Sequence, residues 1–370
     1  MNVGILGVCF LLLQHQHISG GDQNVQDKVT FYVYLAFDSI LQNGFPKPYD
    51  GPLYALTFFN SINLIFQRVT SPKIRFEVSR ISHENAPEAD GLLVMEDGEV
   101  DGDRSIRRIS VAISKRPHLV EADIIFFMCG RKVFTTSSMS LKKEYSPQGR
   151  TYERGICDNT RKIVIINDDG RDHTGLQNAA FQLARLLSGP RSCTPEYFDF
   201  PYKFKAYPNL DCPMPIKDIE KSLRRLLDIK PDCFRKDDVS QNFELFGDIL
   251  PIHVTTEYEF CDRRLAPERL KEQFGMTNLL RCNDTHMGDQ IWHELDVAEA
   301  RYEEVKEYMY ATLTTQDIRR PCKIICCKGW FRGMWVPHTV AAYYQMYRSL
   351  VGTPCGNAKD GVCILGTCVK

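Results

Sequence analysis

Fourteen cysteines limit what this 370-residue chain can become, because they are placed so unevenly. After Cys9, five fall before residue 250 (Cys129, Cys157, Cys193, Cys212, Cys233). Eight follow it: Cys261, Cys282, Cys322, Cys326, Cys327, Cys355, Cys363 and Cys368. A cysteine-dense end suits a small disulfide-stapled module or a zinc site, and the compartment decides between them. The N-terminus argues for export. Val3 to Leu13 is an eleven-residue apolar run, too short to span a bilayer, and polar residues follow it up to Gly20-Gly21. Residues 1–20 therefore read as a signal peptide, although no Lys or Arg precedes the apolar run. The expected product is secreted, extracellular and disulfide-bonded. No later stretch is long and apolar enough for a membrane span.

Lys and Arg number 46 against 47 Asp and Glu, a formal net charge of -1, and no basic cluster stands out along the chain. Neither nucleic acid nor an anionic membrane is an expected partner. With 43% hydrophobic residues there is material for one large core or two modest ones.

Val29 to Phe37 is dense in β-branched and aromatic residues and reads as a strand. Tyr54 to Arg68 sets Phe58, Ile62 and Ile65 at helical spacing, and Ile74, Phe76 and Val78 alternate as in a half-buried strand. Residues 84–103 are acidic with several Gly, which suggests a surface loop. Ala122–Met128 and Lys162–Ile166 fit buried strands. Leu176–Leu187 fits a helix stopped by Ser188-Gly189-Pro190. Strands alternating with helices predict an α/β domain over residues 28–236, followed by a disulfide-rich domain over 237–370. Within the latter, residues 290–312 read as a charged amphipathic helix.

The order of these pieces resembles the reprolysin (adamalysin) family of secreted zinc endopeptidases, and within it the salivary metalloproteases of ticks. The carrying segments are VTFYVYLAFDS, YALTFFNSINLIFQRV leading to IRFEVSRI, EADIIFFMCGR, GICDNTRKIVIINDDG and the helix at 176–187, with PCKIICC and VGTPCG…GTC behind them. The resemblance implies a zincin-like fold, a mixed sheet with long helices, trailed by a Cys-rich module. It also implies zinc as cofactor, held by His-Glu-x-x-His-x-x-Gly-x-x-His on one helix. Two His one turn apart share a face and bind the ion, Glu acts as general base, and a turn brings in the third His.

Here the first ligand position is Phe181, which has no lone pair to offer, and the general-base position is Gln182, an amide. The second ligand position is Arg185, a permanent cation, and the third falls on Arg191. The Gly position is Ser188, with Gly189 one residue later. No Met lies between Met139 and Met214 to supply the family's Met-turn. The expectation is therefore no zinc, no catalytic residue and no enzymatic activity, that is, a pseudoprotease. Elsewhere, His293-Glu294 starts like a zinc motif but has Val297 in the second His position, and His83-Glu84 has Pro87 there. Arg185 and Arg191 either fill the former metal region, paired with a carboxylate such as Asp168, Asp169 or Glu196, or lie on a solvated face.

The resemblance further implies the disulfides Cys157–Cys233 and Cys193–Cys212, leaving Cys129 as a buried free thiol. Eight C-terminal Cys allow about 105 pairings, and spacing does not choose among them. Asn283-Asp284-Thr285 is the one glycosylation sequon. Active members carry a propeptide, whereas the first strand here starts near residue 29. That agrees with a protein needing no latency and equally with a truncated gene model. The implied partners are host extracellular proteins of haemostasis or matrix, bound rather than cut. An active metalloendopeptidase with a rearranged site and a scaffold remnant without a ligand are the competing readings.

Overall fold

The computed structural model describes residues 28–45, 51–82, 88–136, 142–145, 149–189, 215–234, 249–255, 259–260, 280–281, 322–331, 340–356, 359–364 and 366–369. The signal peptide expected at 1–20, Arg191, Cys193, Cys212, Asn283 and the helix expected at 290–312 lie outside these.

The chain starts with strand β1 (Lys28–Phe37), and the Asp38 side chain then caps the short helix α1 (Ser39–Gly44) by accepting the Leu41 N–H at 2.8 Å. Helix α2 (Gly51–Phe66) crosses to strand β2 (Lys73–Ile81). Next come α3 (Glu88–Leu92), β3 (Met95–Glu96), β4 (Glu99–Asp101), α4 (Gly102–Ile113) and α5 (Pro117–Glu121). Strand β5 (Ile124–Cys129) leads through β6 (Val133–Thr136) and β7 (Lys143–Glu144) to β8 (Gly149–Thr151) and β9 (Ile163–Asn167). Helices α6 (Leu176–Ser188) and α7 (Ile216–Ile229) complete this part.

Five strands form the main sheet in the order β2-β1-β5-β9-β8. All pairs are parallel except β8 with β9, so the last strand runs against the others at one edge. A sheet with parallel strands joined by helices is covered on both faces, and its central strands are apolar throughout. Strand β5 shows this: all six of its residues are buried. Because side chains alternate across a strand, Ile124, Phe126 and Met128 meet α2 and α6, joining Phe58, Phe59, Ile62, Leu183 and Leu187. Ile125, Phe127 and Cys129 meet α4 and α5 on the other face, through Ile106, Ile109, Ile113 and Leu119. The protein is thus mixed α/β, as the sequence predicts.

The acidic segment 84–103 is a correction: among its described residues it is not a plain loop. Asp97 and Gly98 have φ of 56° and 79°, the backbone of a two-residue hairpin turn joining β3 to β4. Leu92, Leu93, Val94 and Val100 are buried, and the Asp101 side chain caps α4 through the Arg104 N–H at 2.9 Å. Glu96 and Asp97 face out, over a supported structure.

Beyond α7, helix α8 (Pro251–Val254) is followed by β10 (Leu280–Arg281) and the long hairpin of β11 (Lys323–Phe331) and β12 (Val340–Arg348). A small sheet of β13 (Pro354–Cys355), β14 (Gly361–Ile364) and β15 (Thr367–Val369) ends the chain. Two disulfides, Cys322–Cys363 and Cys355–Cys368, staple this region. It is not remote from the larger sheet. Val351 is part of the α2 core, Leu250, Val254 and Ile364 pack against it, and Asn60 Nδ2 donates to the Ile249 carbonyl at 2.9 Å. Among the described residues, no helix is long and apolar enough to cross a membrane.

Candidate functional site

Helix α6, where the resemblance places the zinc motif, starts just after a tight loop from the end of β9. Asp168 organises that loop. Its buried carboxylate accepts the N–H groups of Gly170 and Gly175, each at 2.7 Å, and the Tyr54 hydroxyl donates to it from α2. The His173 N–H donates to the Tyr54 oxygen at 3.1 Å, the two rings stack at 4.3 Å, and His173 Nε2 lies 2.9 Å from Thr57 Oγ1. Burial, then the neighbouring Asp169 charge, pushes the Asp168 carboxyl up to about 7, against the lowering effect of the Tyr54 hydroxyl and the two glycine N–H groups. Burial, then the Asp168 charge, likewise drives the Tyr54 hydroxyl up. This network fixes the start of α6 against α2. The sequence carries no signal for it, because Tyr54 and Asp168 are 114 residues apart.

Phe181 and Gln182 are buried, at 7% and 0% exposure. Leu176, Ala179, Ala180, Leu183, Ala184, Leu186 and Leu187 are buried with them, so α6 is covered on most of its faces. The Gln182 amide is sealed in without compensation: among the described residues neither its Oε1 nor its Nε2 has a hydrogen-bond partner. What presses on it is the edge strand. A Cβ built on Gly149 of β8 would stand 3.3 Å from Gln182 Cγ and Nε2 and only 2.6 Å from the Ile165 carbonyl oxygen, so the close approach depends on glycine there.

Arg185 lies one turn further on. Its guanidinium carbon sits 5.8 Å from the centre of the Phe181 ring, and its Nη2 is 2.5 Å from Glu153 Oε1. The partner is a correction to the carboxylates Asp168 and Asp169. Those lie at the start of the helix, and the ten residues from Gly175 to Arg185 amount to about 15 Å of helix axis. Glu153 belongs to the β8–β9 connection, which is stitched to the end of α6. The Arg154 N–H donates to the Arg185 carbonyl at 3.1 Å, and Arg154 Nε donates to the Ser188 carbonyl at 3.1 Å. Gly189, with φ of 103°, takes the helix stop, while Ser188 is still helical and bonds back to the Ala184 carbonyl. The turn therefore falls one residue after the family's glycine position.

The disulfide Cys157–Cys233 spans 5.5 Å between Cα atoms and ties the same connection to the segment after α7. A bridge closing so long a loop is worth about 2–4 kcal/mol. Cys129 is free and buried, and burial raises its thiol well above the ordinary range, which makes it inert at neutral pH.

These residues do not fit zinc. The α6 face offers a phenyl ring, an amide enclosed beneath Gly149, and a guanidinium already paired with Glu153. None is a ligand for a divalent ion at the spacing required. Among the described residues, the one close group of candidate ligand atoms is Cys322, Cys355 and Cys363, whose sulfurs are consumed in disulfides. What the face can do is hold itself together. The chain matches no family model and no curated protein sequence.

Proposed function

We propose that this protein is a secreted, catalytically inactive homologue of the reprolysin-type metalloproteases, with a zincin-like fold, that acts by binding host extracellular proteins. The observation that carries the reading is the chemistry of one turn of α6. Phe181, Gln182 and Arg185 replace two metal ligands and a general base, and Arg185 is committed to Glu153 and Phe181. The sheet supports the fold assignment, since its antiparallel edge strand β8 passes directly over this helix. Among the described residues, strand β8 hydrogen-bonds on one side to β9 and ends the sheet. An extended segment of a partner can add to such an edge through main-chain hydrogen bonds, which need no metal.

The test is a binding titration of the protein against immobilised plasma and matrix proteins. Saturable binding to a defined protein is expected. Absence of any saturable ligand favours the scaffold remnant, and chelator-sensitive cleavage of a captured protein favours the active enzyme.

A further inference from the structure

Helix α7 buries Ile219 and Leu223 and is pinned by the Ser222 hydroxyl, which donates to the Leu187 carbonyl at 2.7 Å. Its outer face lines an open depression with Lys217, Glu220, Lys221, Arg224, Arg225 and Asp228. The four cations are exposed, and among the described residues none is in an ion pair.

Read linearly, Asp218, Glu220 and Asp228 dilute this run, which is why no basic cluster stands out in the sequence. On folding, the Glu220 carboxylate accepts the N–H groups of Thr70 and Ser71, at 2.8 and 3.1 Å, and the Thr70 hydroxyl, which together with the Arg224 charge hold it ionised. Arg224 Nε donates to the Ser71 carbonyl on the same turn. The depression thus sets four cations against two carboxylates along about 12 Å of helix from Lys217 to Arg225, on a chain whose net charge is -1.

We propose that the α7 face binds a linear sulfated polysaccharide. A rod of fixed anions suits cations set out along a helix, and each contact releases counterions. The depression is lined by no aromatic residue on which a base could stack. The disulfides imply an oxidising compartment, where sulfated glycans rather than free nucleic acids are the usual polyanions. This surface is separate from the α6 site and stands or falls independently of the pseudoprotease reading.

The test is a titration of the full secreted chain with a size-defined heparin oligosaccharide at several salt concentrations. Four contacts predict that affinity falls roughly a hundredfold between about 50 and 200 mM salt. In Lys217→Gln/Lys221→Gln/Arg225→Gln, chosen to spare Arg224 and its bond to Ser71, one contact remains and the fall shrinks to a few-fold. Desulfated heparin is expected to lose binding, and duplex DNA of equal charge to bind at least tenfold more weakly. Failure of the wild type to bind, undiminished binding by the triple variant, or binding of desulfated heparin would overturn the proposal. So would DNA binding as tight as heparin, which would make the face a general polyanion or nucleic-acid surface.

Discussion

Replacing Gln182 with methionine is expected to stabilise the protein. The two amide atoms are sealed beneath β8 with no hydrogen-bond partner among the described residues. A buried polar group left unsatisfied costs about 1–3 kcal/mol, whereas an apolar group of the same shape costs nothing comparable. Methionine keeps the Cγ that packs against Gly149 and sets sulfur and methyl where the amide stood, so volume and rotamer freedom are conserved. The unfolding free energy should rise by about 1–3 kcal/mol, a figure for the pair of atoms set low because water replaces part of each lost bond in the unfolded chain. Urea unfolding followed by circular dichroism reads this as a higher midpoint at unchanged slope. Gln182→Glu is the counterpart. A carboxylate in that position is buried without a cation or metal, so at pH 7 the variant should lose about 2 kcal/mol or more. Its carboxyl would be raised above the unfolded value, so the loss shrinks as pH falls and the group is neutral in both states. A Gln182→Met protein destabilised by more than about 1 kcal/mol would mean that the amide has a partner, and the reasoning for this site would fail.

Further outcomes follow from the surroundings of α6. Asp168 sits at about 7 in the folded protein against 3.8 for an ordinary side chain, so between those values the native state holds a proton that the unfolded chain has released. Stability should therefore fall as pH rises through this window, by at most about 1.4 kcal/mol per pH unit, and level off above it. Denaturant midpoints between pH 5 and 8 check this, and the slope should be absent in Asp168→Asn. Gly149→Ala should destabilise by about 1–3 kcal/mol, since the new methyl meets the Ile165 carbonyl oxygen at 2.6 Å; a neutral result would place β8 further from β9. A double-mutant cycle of Arg185→Met with Glu153→Gln should give a coupling of about 0.5–1 kcal/mol, kept small because Glu153 is 39% exposed. Zero coupling would leave Arg185 as a solvated side chain.

What could be read from the sequence was what repeats locally. Strand β5 announces itself because a strand buried on both faces must be apolar at consecutive positions, and α6 because its leucines recur at helical spacing. The supported segment at 88–101 was hidden because its acids dominate the composition, although Asp97-Gly98 is a hairpin signal. The side-chain types along α6 were legible residue by residue. Their partners were not: Glu153 and Gly149 reach the helix only because β8 turns back antiparallel on β9. Tyr54 meets Asp168 only because α2 and α6 share one face of the sheet. Contacts set by topology leave no periodic trace in the chain.

The central claim is that the α6 face has exchanged metal chemistry for packing and an ion pair. It is tested most directly by measuring zinc content and cleavage of a broad peptide library on one sample of the protein, purified without refolding. A folded protein with far less than one zinc per chain and no chelator-sensitive cleavage is predicted. Zinc near one per chain, together with cleavage that a chelator abolishes, would contradict it.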